Sequence, residues 1–285
     1  MKLKKILNSI WNEFVYGGHL ISLGAASIVF TSAILLDIKI TWDCLLVVYL
    51  GTESVYLYNR FKEYKVDFLT NPERTEHIKK YVKYYPFIIF LMTFSAIVIV
   101  VYFNKISALI FGLLLFFGGL LYSKFLKKIT KKIVAFKSFF VSLLWTLLVI
   151  FLSLYYSHVP NLPLFLILIF VYIEVFVNTS FYDIKDIGSD KKEGLLTLPI
   201  VLGQKKMLYG LNVITILAAL PILFGFYSNL FPQSSLMLLL TIPYTLYYFQ
   251  KSKNPKTSPN FLYNIIVDGE FILWSIFILL GEFLL

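Results

Sequence analysis

Nine uninterrupted apolar segments, each near the length that crosses a bilayer, constrain this chain of 285 residues more than any other feature. They run over residues 14–36, 41–58, 84–103, 106–123, 136–157, 162–182, 207–227, 230–249 and 261–285. A span needs about 20 apolar residues to cross the hydrocarbon. In lipid only helices and closed barrels satisfy their own backbone, and runs this long are not barrel strands. All nine segments are therefore expected to be helical, the shorter ones near 41–58 and 106–123 extending into flanking polar stretches. Composition agrees: 59% of residues are hydrophobic and 15% charged, against about 25% charged in a soluble domain. No linker divides the chain, so residues 1–285 are expected to form one integral membrane domain.

The N-terminal MKLKKILNSIWNEF begins like a secretory signal, but the run from Phe14 to Leu36 is too long for a signal core and lacks a small-residue cleavage pattern. It is expected to be a retained first span. The lone Cys44 permits no internal disulfide and no cysteine metal cluster.

Of the 26 Lys and Arg residues, 24 fall on one side of a nine-span topology, leaving Lys39 and Lys105 opposite. By the positive-inside rule, the N-terminus is expected in the cytoplasm and the C-terminus on the other side. The net charge of +10 is thus topology first. No motif for nucleic acid accompanies it.

Two clusters of acids stand at cytoplasmic span ends. In the first, YLYNRFKEYKVDFLTNPER, Asn59, Glu63 and Asp67 are spaced i, i+4, i+8 and share one face of a continuous helix. In the second, NTSFYDIKDIGSDKKEGLLTLPIVLG, Asp183, Asp186 and Asp190 are spaced i, i+3, i+7, again expected on one face. Asn178 and Tyr182 lie on nearly the same stripe. Stacked carboxylates repel, and desolvation near the membrane makes this worse. A cation relieves it, and hard oxygen ligands favour magnesium, which completes its shell with phosphate oxygens and water. Two such faces opposed across a cavity suit a pair of ions bridging one diphosphate; singly, each cluster reads equally well as solvated loop residues.

These clusters resemble the paired motifs NDxxDxxxD and DxxDxxxD of the UbiA superfamily of intramembrane prenyltransferases. The second matches closely, through Asp183, Asp186 and Asp190 and on through Lys192, Gly194, Thr197, Leu198, Pro199 and Gly203. The first departs from the pattern: Arg60 stands where an Asp usually follows the Asn, and Glu63 where Asp is commoner. Asn71, Pro72 and Arg74 still resemble the family's loop. A third stretch, LYSKFLKKITKKIVAFKSFF, is similar to the family's LYSxxLK segment at Tyr122, Ser123, Leu126 and Lys127.

The resemblance implies an all-α polytopic membrane protein, a bundle of nine transmembrane helices around a central cavity open to the cytoplasmic side. It also implies magnesium-dependent transfer of a prenyl group from an isoprenyl diphosphate to an aromatic (quinone-precursor) or lipid acceptor within the bilayer. Asn59, Glu63 and Asp67 would hold one Mg2+ and Asp183, Asp186 and Asp190 a second. Asp67, Asp183 and Asp186 would be essential to catalysis. Lys127, Lys124, Tyr122 and Arg60 would contact the diphosphate.

Ionisable groups inside spans are costly and mark function by default. Glu174, one turn before Asn178, is a candidate for orienting or deprotonating the acceptor, or for hydrogen bonding between helices. Glu53 lies within the second span. His19 reads as a packed, hydrogen-bonded histidine. Asp268 and Glu270 are expected near an interface, snorkelling towards water. A rival reading, a carrier whose acids line an ion path, fits less well, because transporter sites sit near the bilayer midplane and these acids border lysine-rich loops.

Overall fold

The structure, a computed structural model, describes residues 2–68, 71–124 and 126–285, and the side chains of these except at 2–5, 65–67, 123, 124, 126 and 127. Among the described residues there are helices and turns but no strand. The helices are α1 (Lys2–Gly17), α2 (His19–Leu35), α3 (Trp42–Asp67), α4 (Pro72–Lys79), α5 (Tyr85–Tyr102), α6 (Ile106–Lys124), α7 (Phe136–Tyr155) and α8 (Leu162–Tyr182). Then follow α9 (Ile187–Glu193), α10 (Leu198–Leu202), α11 (Gln204–Leu217), α12 (Ala219–Tyr227), α13 (Thr241–Lys251), α14 (Pro259–Phe261) and α15 (Glu270–Leu284).

Four stretches are long and apolar enough to cross a membrane: Val82–Tyr102, Phe136–Tyr155, Leu162–Tyr182 and Gln204–Tyr227. Two more qualify as bent pairs, α1 with α2 at 61° and Pro259–Val267 with α15 at 43°. The outward face of α5 carries Phe87, Phe90, Phe94, Val98 and Val101, each about half exposed or more. Apolar side chains repeating at that helical spacing on an outer surface belong against lipid. The chain is an integral membrane protein.

Where the expected segments are not straight helices, local chemistry explains the departure. The first breaks at Gly18, whose φ of 116° only glycine adopts readily. A Cβ there would run into Arg60 Nη1 and lie 3.1 Å from Glu53 Oε2, so the break is pressed directly onto a buried charged pair. The α11–α12 break falls at Ala218, just before Pro221, which supplies no N–H to the helix. The segment at 230–249 opens as a 3-10 helix, Gln233–Leu240, and becomes α-helical only at Thr241. The last segment begins as a π-helix, Leu262–Val267, before turning into α15.

A π-helix and a bend free carbonyls that lipid cannot satisfy. Side chains of neighbouring helices do so instead. Tyr244 donates its hydroxyl to the Ile266 carbonyl at 2.7 Å, and Asn178 donates to the Val267 carbonyl at 3.1 Å. Asn178 also donates to Glu270 at 2.7 Å, and Glu270 accepts from Thr245 at 2.8 Å and Tyr248 at 3.1 Å. Glu270 is 1% exposed, which corrects the expectation that it snorkels to water. Three donors converge on it, and a carboxylate so served has no need of the interface.

The main core lies around α2, α7, α8 and α15, with Phe170 against Trp274 at 4.8 Å and Trp145 against Phe271 at 5.3 Å between ring centres. We expect Glu270→Leu to strand three buried donors and cost about 3 kcal/mol or more. The check is the unfolding midpoint of the detergent-purified protein. Glu270→Gln, which keeps an acceptor oxygen, should lose less than half as much.

Candidate active site

The second acidic motif is not one helical face. Helix α8 ends at Tyr182, Asp183 caps it, and the chain tightens through i to i−3 bonds before α9 restarts at Ile187. These bonds are Ile184 N–H to Phe181 O, Lys185 N–H to Tyr182 O and Asp186 N–H to Asp183 O. The physical cause of the departure is the hold on Asp183 from the side. Lys137 and Ser138, at the start of α7, donate to its two carboxylate oxygens at 2.6 and 3.1 Å. Lys137 also lies 3.9 Å from Asp186 Oδ2. Asp190 falls in the first turn of α9, buried. Gly194, at φ 71°, closes that helix, and Leu195 N–H returns to the Asp190 carbonyl at 2.9 Å.

The loop before α7 is fastened to this motif through the backbone. Leu196 N–H donates to the Thr130 carbonyl at 2.9 Å, and Ala135 N–H donates to the Leu196 carbonyl at 2.8 Å. The 3-10 helix Leu126–Lys131, which follows Tyr122 in the chain, is thereby tied through Thr130 to Leu196, just beyond α9. Burial pushes the Asp183 carboxyl up from the ordinary carboxylate range, and the Lys137 ammonium pulls it back down.

The first cluster sits on unbroken α3, so Asn59, Glu63 and Asp67 keep the expected register along one helix. The side chains of Asp67, Lys124 and Lys127 lie outside the described residues. Tyr122 lies within electrostatic reach of Glu63 and of Lys137, Asp183 and Asp190. Its ring stacks on Phe140 at 5.6 Å, and its buried hydroxyl has no hydrogen-bond partner among the described residues.

Asn59 and Tyr122 also stand at one end of an apolar cavity whose empty space, counted together with the part open to its surroundings, is about 1120 Å³. Four helices wall it: α3 through Gly51 and Val55, α5 through Thr93 and Ala96, α6 through Gly112 and Phe116, and α7 through Trp145 and Leu148. It ends among Val47, Val100, Ala108 and Phe151. From Asn59 to Val47 is about 18 Å along α3 at 1.5 Å per residue. Close packing of the wall rests on glycines at two points. A Cβ on Gly119 would lie 2.7 Å from Val55, and one on Gly112 would lie 3.2 Å from Phe151.

Arg60 does not line this cavity. One residue on from Asn59, it is rotated by about 100° around α3 and is buried against Gly18. Glu53, Arg74 and Asp268 bear on its charge there. Around it, Ser22 donates to Glu53 at 2.6 Å, and His19 pairs with the Tyr49 hydroxyl at 2.6 Å, so His19 is packed and satisfied as expected. Glu174 accepts from Thr241 at 3.4 Å, and Asn178 is committed to Val267 and Glu270. Both therefore bind neighbouring helices.

Lys137 and Ser138 are the site residues that sequence reasoning passed over. Lys137 stands between Phe136 and Phe139 at the head of an apolar run. A lysine in that position is itself a signal.

The donor set suits a divalent ion with a diphosphate: hard carboxylate and amide oxygens, and the orphaned hydroxyl of Tyr122 between them. Among the described residues, no three His, Cys, Asp or Glu side chains converge on one point for a metal.

Comparisons with known proteins bear on the same features. The model of the UbiA prenyltransferase family matches residues 20–276. No curated protein sequence matches. Among solved structures, a UbiA homologue from Archaeoglobus fulgidus bound to DMAPP and Mg2+ is 16% identical, with a TM-score of 0.63 over 96% of this chain and 99% of that one. The apo UbiA homologue from Aeropyrum pernix K1 is 16% identical, with a TM-score of 0.61 over 92% and 96% of the two chains. A digeranylgeranylglyceryl phosphate synthase is 17% identical, with a TM-score of 0.57 over 98% and 100%. With a helical membrane fold shared along nearly its whole length and a family match over residues 20–276, this chain belongs to the UbiA prenyltransferase family.

Proposed function

We propose that the protein transfers a prenyl group from an isoprenyl diphosphate to an aromatic (quinone-precursor) or lipid acceptor inside the membrane. The observation that carries this reading is that Tyr122, within electrostatic reach of acids from both clusters, stands with Asn59 at the polar end of an apolar cavity. A charged head and a long hydrocarbon tail need those two environments end to end. The A. fulgidus relatives bound to GPP or DMAPP with Mg2+ support it. The lysine distribution supports nine spans with this site on the cytoplasmic side and the N-terminus inside.

In this reading Asn59, Glu63 and Asp67 hold one magnesium ion, and the acids at 183, 186 and 190 hold a second. Bound there, magnesium neutralises charge developing on the leaving pyrophosphate. Lys127 and Lys124 add positive charge, and Tyr122 donates a hydrogen bond to a diphosphate oxygen. The allylic C–O bond breaks with its electron pair going to pyrophosphate, and the acceptor then attacks the allylic cation and loses a proton. The rings of Tyr56, Tyr122 and Trp145 line the cavity, where aromatic faces stabilise a cation. The apolar walls exclude the water that would quench it.

Asp186→Ala should lower prenyl transfer about a hundredfold or more, a scale typical of removing one group that stabilises transition-state charge. It should leave the protein monodisperse, because Asp186 is partly exposed. Mass spectrometry of products from membranes given a panel of prenyl diphosphates and acceptors is the assay. Undiminished turnover would end the proposal, and flux through proteoliposomes without any product would favour the carrier.

The cavity makes a second prediction. A Cβ on Gly51 meets nothing within 4 Å, and Gly51 lies about 12 Å below Asn59 along α3. Gly51→Phe should therefore fold and fill the lower cavity, reducing use of long donors while sparing DMAPP. An equal effect on all chain lengths would show that the tail lies elsewhere.

A further inference from the structure

Lys137 is out of place in a site built to hold divalent cations. Its ammonium donates to Asp183 Oδ1 at 2.6 Å and lies 3.9 Å from Asp186 Oδ2, with the charge of Asp190 also bearing on it. Asp183 is 0% exposed, and its other oxygen is taken by Ser138. A carboxylate so buried needs a counter-charge to stay ionised, and here the protein provides one on a covalent tether. A divalent ion binds a carboxylate oxygen at about 2.0–2.1 Å in octahedral geometry. It would compete with the Lys137 ammonium for the same oxygen, and like charges so close repel strongly.

We propose that Lys137 acts as a resident cation at the second acidic motif, so that Asp183 is committed to lysine and a divalent ion there is held by Asp186 and Asp190 alone, and weakly. This rests on the reading of the site as a metal–diphosphate centre and refines it. The two acidic clusters become unequal: the first, on α3, takes its ion tightly, and the second is already half neutralised. Lys137 is in this sense a positioning residue, since it fixes the Asp183 carboxylate and the turn at 183–186 through it.

The test is Mn2+ binding to the purified full-length protein in the presence of inorganic pyrophosphate, followed by the electron paramagnetic resonance signal of free Mn2+. The wild type should give one tight and one weak ion. In Lys137→Gln, which keeps a donor for Asp183 but removes the charge, the weak ion should tighten about tenfold or more. Lys137→Arg, which keeps the charge, should resemble the wild type. Lys137→Met serves the same purpose as the Gln variant if that one proves unstable. Superimposable isotherms for the wild type and either neutral variant would overturn the role of Lys137 while leaving the metal–diphosphate reading intact. Absence of pyrophosphate-dependent Mn2+ binding in every variant would overturn both.

Discussion

Carboxylates gathered at the edge of a hydrocarbon layer cannot remain charged without cations, and the fold at this end of the bundle follows from that constraint. Asp183 is fully buried, and its ionised form is tolerable only because Lys137 and Ser138 reach it from α7. That lateral grip lies where α8 stops and the chain tightens into turns, and from the turns α9 sets off with Asp190 in its first turn. The backbone bonds between Thr130, Ala135 and Leu196 then tie the loop before α7 to the chain just beyond α9. Electrostatic need and chain path are solved together.

The apolar half of the site obeys a different rule. Its walls come from four helices that approach closely where glycine permits it, at Gly112 and Gly119, and stand apart where Gly51 leaves space. In lipid no hydrophobic effect presses helices together, so small residues largely decide where backbones meet. The same residue type thus does opposite things along one cavity. Two glycines close the wall and a third widens it. The transition from carboxylates to hydrocarbon wall happens between Glu63 and Val55 on α3, about 12 Å of one helix.

The parts of this architecture legible in the sequence were those fixed by periodicity and composition. Unbroken α3 kept Asn59 and Glu63 in register because nothing in that stretch competes with the helix. The apolar runs became helices because lipid leaves the backbone no other partner. What the sequence hid were features made by partners distant in the chain. The break after Tyr182 is set by a lysine 46 positions earlier. The burial of Glu270 depends on Asn178, Thr245 and Tyr248, three residues on two other helices. The bend at Gly18 was written in a glycine, but the side chains packed against it, Arg60 and Glu53, lie on α3.

Arg60 shows how such hidden geometry changes the meaning of a motif. Judged by linear position, an arginine in place of an acid inside the first cluster looks like damage to a metal site. On the helix, the residue next to Asn59 points about 100° away, so the substitution leaves the cavity face untouched. It places a buried guanidinium beneath the α1–α2 break, among Glu53, Arg74 and Asp268. Gly18 lies directly above it, at a φ of 116° that favours glycine. The departure at position 60 is best understood as part of the scaffold that holds α2 against α3, apart from the neighbouring face of Asn59 and Glu63 to which the proposed chemistry is assigned.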